Sequence, residues 1–158
     1  MKITESIPEV SLIVSIYNSA ELANEALESV VQYGGDVSWD CIVIDDASTD
    51  GGLALIDEKY KRNPRFLFVR NEKNVGYSAL NVALDRMRGR YLMTLDTDAK
   101  IWPGTLRALI TFMDTHSEAG AATGNLHYPD GRIQNYYRRH MTPLVAFYTT
   151  VPGRFIDK

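Results

Sequence analysis

Trp39–Asp46 reads WDCIVIDD, a mostly apolar run, broken only by Asp40, that is rich in β-branched residues and ends in two carboxylates. A strand with one wet face alternates apolar and polar residues, whereas a strand covered on both faces reads as a continuous apolar run. Burial on both faces is the habit of parallel sheets with helices above and below. Cys41, inside the run, reads as a buried structural thiol. VSLIVSIY precedes this stretch, and RFLFVR, RYLMTLD and AGAATGNL follow it, with amphipathic segments between them. Strands alternating with helices through right-handed crossovers give an α/β fold class: three-layer, with an open, mostly parallel, doubly wound sheet.

The intervening segments carry helix signals. Asn18 and Glu21 have capping-box spacing, so the first helix is expected to open at Asn18 or Ser19 and to bury Leu22, Ala26 and Val30. The second is expected after Asp50, with Leu53, Ile56 and Tyr60 inward. A third runs from about Tyr77 with Leu80, Ala83, Leu84 and Met87 inward. Pro103 suits a first helical turn, so a fourth is expected from there, burying Leu106, Leu109, Ile110 and Met113. Beyond it, Pro129-Asp130-Gly131 is a turn signal, and the chain from His127 to Arg139 reads as a hairpin or edge extension.

With 158 residues, the chain has room for one sizeable core, and a formal charge of -3 spread along it presents no basic face for nucleic acid. A single cysteine excludes an intrachain disulfide and fits a reducing, cytoplasmic setting. No stretch approaches the roughly 20 apolar residues that span a bilayer, so no transmembrane segment is expected. Oligomeric state is silent in the sequence.

In an open parallel sheet, ligands bind beyond the carboxyl ends of the strands, so the polar residues that follow each apolar run are read first. They are Tyr17 and Asn18; Asp45, Asp46 and Ser48; Arg70 and Asn71; and Asp96 and Asp98. Any one of them could be a cap or turn residue. Together they mass carboxylates at one edge, which repel unless a cation or a set of donors offsets them. Asp96 and Asp98 lie two apart where a strand ends, and in an extended chain their side chains would project to one side. Hard oxygen ligands suit a divalent cation, Mg2+ or Mn2+, that takes its remaining ligands from phosphate and water. GxxxxGK[ST] is absent, as is GxGxxG after the first strand, and His116, His127 and His140 lack metal-ligand spacing.

VSLIVSIYN, VIDDASTDGG, NEKNVGYSALNVAL and TLDTDAKIWPGTL, in this order from Val10 to Leu106, resemble the family 2 glycosyltransferases with the GT-A fold. GNLHYPDGRIQ resembles the rhamnosyltransferase-like members. A lone DxD triplet would say little, but four ordered motifs are specific. The resemblance implies a nucleoside-diphosphate-sugar donor site made by the backbone of Ile16 and Tyr17, by Asp45 or Asp46 near base and ribose, and by Asn74 and Gly76, with Asn81 a weaker candidate. It implies that Asp98 binds the divalent cation and that Asp96 is its donor-side neighbour. It implies residues 1–125 as a donor-binding core, residues 126–158 as the start of an acceptor-side extension, and 1–158 as one nucleotide-sugar-binding domain.

The same resemblance implies inverting transfer to a glycan or lipid-linked acceptor in cell-envelope polysaccharide synthesis, in the cytoplasm or peripherally at a membrane. An Asp or Glu would take the acceptor proton. Nothing from Leu126 to Lys158 matches the family's base motif, so the catalytic residue is expected beyond Lys158. Asp130 is explained by its turn, and Tyr136, Tyr137, Arg138 and Arg139 are left outside the site. The competing reading is a non-catalytic nucleotide-sugar-binding or interaction module.

Overall fold

The computed structural model describes residues 7–134. The strands are β1 (Val10–Ile16), β2 (Trp39–Asp45), β3 (Phe66–Arg70) and β4 (Tyr91–Thr94), all parallel in the order β3-β2-β1-β4. The helices are α1 (Ala20–Tyr33), α2 (Gly52–Tyr60), the single turn α3 (Asn81–Leu84) and α4 (Thr105–Thr115), and a 3-10 turn over Gly76–Leu80 leads into α3. No helix among the described residues is long and apolar enough to cross a membrane.

The period-two alternation of each strand divides the core. Leu12, Val14, Ile16, Cys41 and Val43 form one cluster with Ala23, Ala26, Leu27 and Val30 of α1, Ile56 and Tyr60 of α2, and Leu106 and Ile110 of α4. Ile13, Ile42 and Ile44 face the other way, onto Ala79 and Ala83. Every residue of β2 is buried, Asp40 and Asp45 included, while β3 and β4 alternate between half-buried and exposed. Each large aliphatic side chain removed from water in β1 and β2 contributes about 1.5–3 kcal/mol. Burial also drives the Cys41 thiol's pKa well above its ordinary value, with the Asp40 charge adding to it, which fits an inert structural role.

Several expectations are corrected. AGAATGNL forms no strand: three alanines and two glycines offer little side-chain area to a sheet, and glycine is disfavoured in strands. Leu22 is exposed, because the buried stripe of α1 runs through Ala23, Ala26, Leu27 and Val30 and leaves Leu22 beyond its edge. Asn18 and Glu21 make no capping box; Asn18 has φ 50°, and its Oδ1 receives the Thr49 N–H at 2.8 Å instead. Asn is among the few residues that tolerate this left-handed conformation. Leu53 is only half-buried, as are Leu109 and Met113. The third helix is split between a 3-10 turn and α3, and Leu84 is exposed. Pro103 does not open α4, since Gly104 takes φ 79° and the helix starts at Thr105.

The contacts within the chain define a first unit ending at Ala122 and a second beginning at Thr123. In the second, His127 pairs antiparallel with Ile133, and the Gly131 N–H bonds the Tyr128 carbonyl at 2.8 Å, with Gly131 at φ 84°. Over residues 127–134 this is a hairpin turn, one of the two expected readings, and residues 135–139 of that stretch lie outside the described residues. Tyr136, Tyr137, Arg138, Arg139 and His140 lie outside the described residues.

Candidate functional site

Parallel pairing brings the strand ends to one edge. Ile16, Asp45 and Arg70 are level across β1, β2 and β3. Pairing also places Ile13 opposite Thr94, so β4 ends three residues short of the end of β1. The ladder continues past the strands: the Asp46 N–H reaches the Ile16 carbonyl and the Asn71 N–H reaches the Asp45 carbonyl, each at 2.8 Å. Ile16, Asp45 and Asp46 are therefore fixed by the backbone, and Tyr17, half-exposed, stands at the surface beside them.

The two adjacent aspartates do different things. Asp45 is fully buried, its Oδ1 takes the Ser48 N–H at 2.9 Å, and its Oδ2 has Arg70 Nε at 3.4 Å with no hydrogen bond. The Arg70 guanidinium also donates to the Ser48 carbonyl at 3.0 Å, so it lies across the loop it neutralises. Asp46 is spent on the loop after β3. Its Oδ1 accepts Asn71 Nδ2 at 2.8 Å and the Val75 N–H at 3.1 Å, and its Oδ2 accepts the Val75 and Gly76 N–H groups at 3.0 and 2.8 Å. The Gly76 N–H also reaches Asn74 Oδ1 at 3.1 Å. Gly76 has φ 61°, a conformation most side chains avoid, so the turn that brings this N–H to the carboxylate favours glycine. Ile16, Asp45, Asp46, Asn74 and Gly76 thus form one connected edge. Asn81, at the start of α3, is exposed and outside this network.

Asp96 and Asp98 present a different environment. Both are exposed, and no side-chain hydrogen bond or ion pair among the described residues engages either one. The expected extended geometry does not persist: β4 stops at Thr94, and the Ala99 N–H closes a turn on the Asp96 carbonyl at 3.0 Å. The strand ends because Leu95 and Ile101 are both drawn into the core and the five residues between them have to double back. No group of three His, Cys, Asp or Glu able to hold a metal ion occurs among the described residues. Two carboxylates without side-chain partners among the described residues fit an ion such as Mg2+ or Mn2+ that completes its shell with phosphate and water, and they would not hold it tightly alone.

The remaining polar candidates are occupied. Asp130 Oδ1 takes the Arg132 N–H at 3.0 Å and its Oδ2 pairs with Arg132 Nε at 2.7 Å, which holds its pKa below the ordinary value and makes it a poor base. His116 Nδ1 lies 3.0 Å from the Phe112 carbonyl, with its ring stacked on Phe112, and His127 Nδ1 lies 3.1 Å from the Gly131 carbonyl. Sequence reasoning did not anticipate the tie between Asn18 and Thr49, or Ser29 behind the Asp96–Asp98 turn. The available signal for Ser29 was a hydroxyl on the apolar stripe of α1.

Comparison with known proteins bears on this edge. A model of glycosyl transferase family 2 matches residues 11–157. The putative teichuronic acid biosynthesis glycosyltransferase TuaG of Bacillus subtilis is 35% identical over 118 residues, covering 74% of this chain and 46% of that protein. The structure of Staphylococcus aureus TarS residues 1–349 in complex with UDP superposes with a TM-score of 0.60 at 32% identity, over 69% of this chain and 33% of that one. A mannosyltransferase of Pyrobaculum calidifontis in complex with GDP-Man and Mn2+ gives 0.61 at 29% identity, with the same coverage. The chain spans less than half the length of these relatives. Four parallel strands in the order β3-β2-β1-β4, the polar edge at their carboxyl ends and the family match over nearly the whole sequence place this chain in glycosyl transferase family 2.

Proposed function

We propose that the chain binds a nucleoside-diphosphate sugar at the carboxyl edge of its sheet and forms the donor side of a metal-dependent, inverting glycosyltransferase. The observation that carries this reading is the contrast at that edge. Asp45 faces the Arg70 guanidinium and Asp46 is saturated by N–H donors, whereas Asp96 and Asp98 are exposed and have no side-chain partner among the described residues, ready for a ligand of opposite charge. UDP in one structural relative, and GDP-Man with Mn2+ in another, support the ligand class.

Asp98, with Asp96 beside it, would hold the cation. When bound, the cation offsets the negative charge that accumulates on the diphosphate as the anomeric carbon leaves it. Ile16 and Tyr17 would border the base, Asp45 and Asp46 would set the floor beneath base and ribose, and Asn74 and Gly76 would line the pocket, where a glycine admits close approach of the ligand to the backbone. Residues 1–125 form the donor-binding core in this reading, and residues 126–158 begin the acceptor side. The teichuronic acid assignment of TuaG and the poly(ribitol-phosphate) acceptor of TarS support a cell-envelope glycan or lipid-linked acceptor. The reading also places the chain on the cytoplasmic side of such a membrane.

Titration calorimetry with UDP-, GDP- and dTDP-sugars, with and without Mn2+, tests the donor site. Metal-dependent binding of at least one donor is expected, and its absence across the panel defeats the proposal. A nucleotide-sugar-binding module without transfer is the second reading, favoured by Asp130, the one carboxylate of the described hairpin, being consumed in its own turn. Sugar transfer or donor hydrolysis by the 158-residue chain would exclude that module.

A further inference from the structure

The turn that carries Asp96 and Asp98 is closed at both ends by buried contacts. At its entry the Leu95 N–H donates to the Ile13 carbonyl at 3.0 Å, with the Leu95 side chain in the core. At its exit Ile101 is buried, and its N–H donates to Ser29 Oγ at 3.1 Å. Ser29 is only 5% exposed, and its own hydroxyl proton goes to the Ala26 carbonyl at 2.6 Å. With that proton committed, the oxygen is left as an acceptor facing Ile101. One turn earlier on α1, Glu25 pairs with Lys100 Nζ at 2.7 Å, an exposed contact that water and salt weaken.

Helix stability does not explain a serine here. Alanine is the better helix former, and a serine that bonds back to its own helix slightly destabilises it. Alanine would also suit the apolar stripe that Ser29 shares with Ala26 and Val30. What alanine cannot supply is an acceptor for the buried Ile101 N–H, and such a group left unpaired is costly enough for the loop to move toward water. Ile101 is three residues from Asp98, so a displacement there reaches the carboxylates directly.

We propose that Ser29 is a positioning residue for the cation-binding turn: by fixing Ile101 it holds Asp96 and Asp98 at the sheet edge in the geometry a diphosphate-bound cation requires. This rests on the reading of Asp96 and Asp98 given above. Ser29 touches neither nucleotide nor cation, and acts through the Ile101 backbone.

The test uses the 158-residue chain and its Ser29→Ala and Ser29→Thr variants, titrated with UDP and with GDP in the presence and absence of Mn2+, with thermal unfolding alongside. Wild type should bind nucleotide more tightly with Mn2+. Ser29→Ala should lose about tenfold of that increment, since a displacement near 1 Å suffices to spoil such a site, while its metal-free affinity stays within about twofold. Ser29→Thr, which keeps the hydroxyl, should restore the increment. An unchanged increment in Ser29→Ala overturns the proposal, as does an equal loss with and without metal, which would mark a merely structural residue. Should Ser29→Ala fail to fold, Ser29→Cys, a weaker acceptor of similar volume, takes its place against Ser29→Thr, and equal increments in the two overturn the proposal. A wild-type chain that binds a nucleotide without any metal-dependent step overturns the assignment of Asp96 and Asp98, and this inference with it.

Discussion

The Asp46 carboxylate receives the Gly76 N–H at 2.8 Å and so joins the end of the second strand to the loop after the third. It also receives the Val75 N–H and the Asn71 amide, and it is 2% exposed. Three donors on one buried carboxylate make a latch. Asp46→Asn exchanges one acceptor oxygen for an amide that faces N–H groups, which leaves part-buried donors without their acceptor and costs about 1–2 kcal/mol. Urea unfolding should show the loss, with faster amide exchange at Val75 and Gly76, and an unchanged midpoint would remove the latch from the account.

Ala47 sits one residue further along, at φ 64° without being a glycine. A left-handed conformation costs an L-residue roughly 1–2 kcal/mol, and glycine avoids that cost while adding about 0.5–1 kcal/mol of chain entropy to the unfolded state. Ala47→Gly should therefore raise stability by up to about 1 kcal/mol. A clear loss of stability would show that the methyl group packs better than its backbone angle suggests.

Gly89 is the opposite case. A Cβ there would lie 2.3 Å from the Ser11 nitrogen and 2.6 Å from the Val10 carbonyl carbon, both of them backbone atoms of β1. The Ser11 hydroxyl oxygen meanwhile accepts the N–H groups of Arg88 and Gly89 at 3.1 and 2.8 Å. Gly89→Ala has to push the entry to β4 away from β1 and is expected to cost about 1–3 kcal/mol, read as a lower unfolding midpoint. Wild-type stability in this variant would mean that the segment shifts freely.

The parallel sheet was legible because burial on both faces writes itself as a continuous apolar run, most clearly in Cys41–Ile44. The cluster of polar residues at the strand ends was legible for the same reason: each run ends where the edge begins. What pattern could not separate was the division of labour among the aspartates. Asp46 and Asp98 look alike in sequence, and only three-dimensional neighbours show that one is saturated by N–H donors and the other has no side-chain partner among the described residues. Boundaries failed where a single backbone angle decides them, as at Asn18 and Gly104. The fifth apolar run failed because small residues satisfy a pattern of apolar letters without supplying area to bury.

Acid should loosen the contact between α4 and the start of β4. Asp114 accepts the Tyr91 hydroxyl at 2.7 Å and Arg90 Nη2 at 2.6 and 2.8 Å, and these partners, the tyrosine first, hold its pKa below the ordinary value. A carboxylate whose folded pKa is depressed adds stability above its unfolded pKa, near 4, and that stability is lost as pH falls through the lower folded value. Glu9, held low by the Ser38 N–H and by Arg107, acts in the same direction. Asp114→Asn should flatten part of the fall in urea midpoint between about pH 5 and pH 2. An identical slope in the variant would show that solvent screens the contact entirely.

Asp98→Ala separates the two kinds of aspartate. Because Asp98 is exposed and has no partner among the described residues, its removal should leave folding stability within about 0.5 kcal/mol of wild type, whereas Asp46→Asn lowers it. Binding should show the reverse emphasis: Asp98→Ala loses the Mn2+-dependent part of UDP or GDP affinity, because a single neighbouring carboxylate cannot anchor a hydrated cation against water, and retains whatever affinity exists without metal. Calorimetric titration of both variants with and without Mn2+ measures the contrast. An Asp98→Ala protein that keeps the full metal-dependent increment would move the cation site away from this turn and leave Asp96 and Asp98 as solvated surface charges.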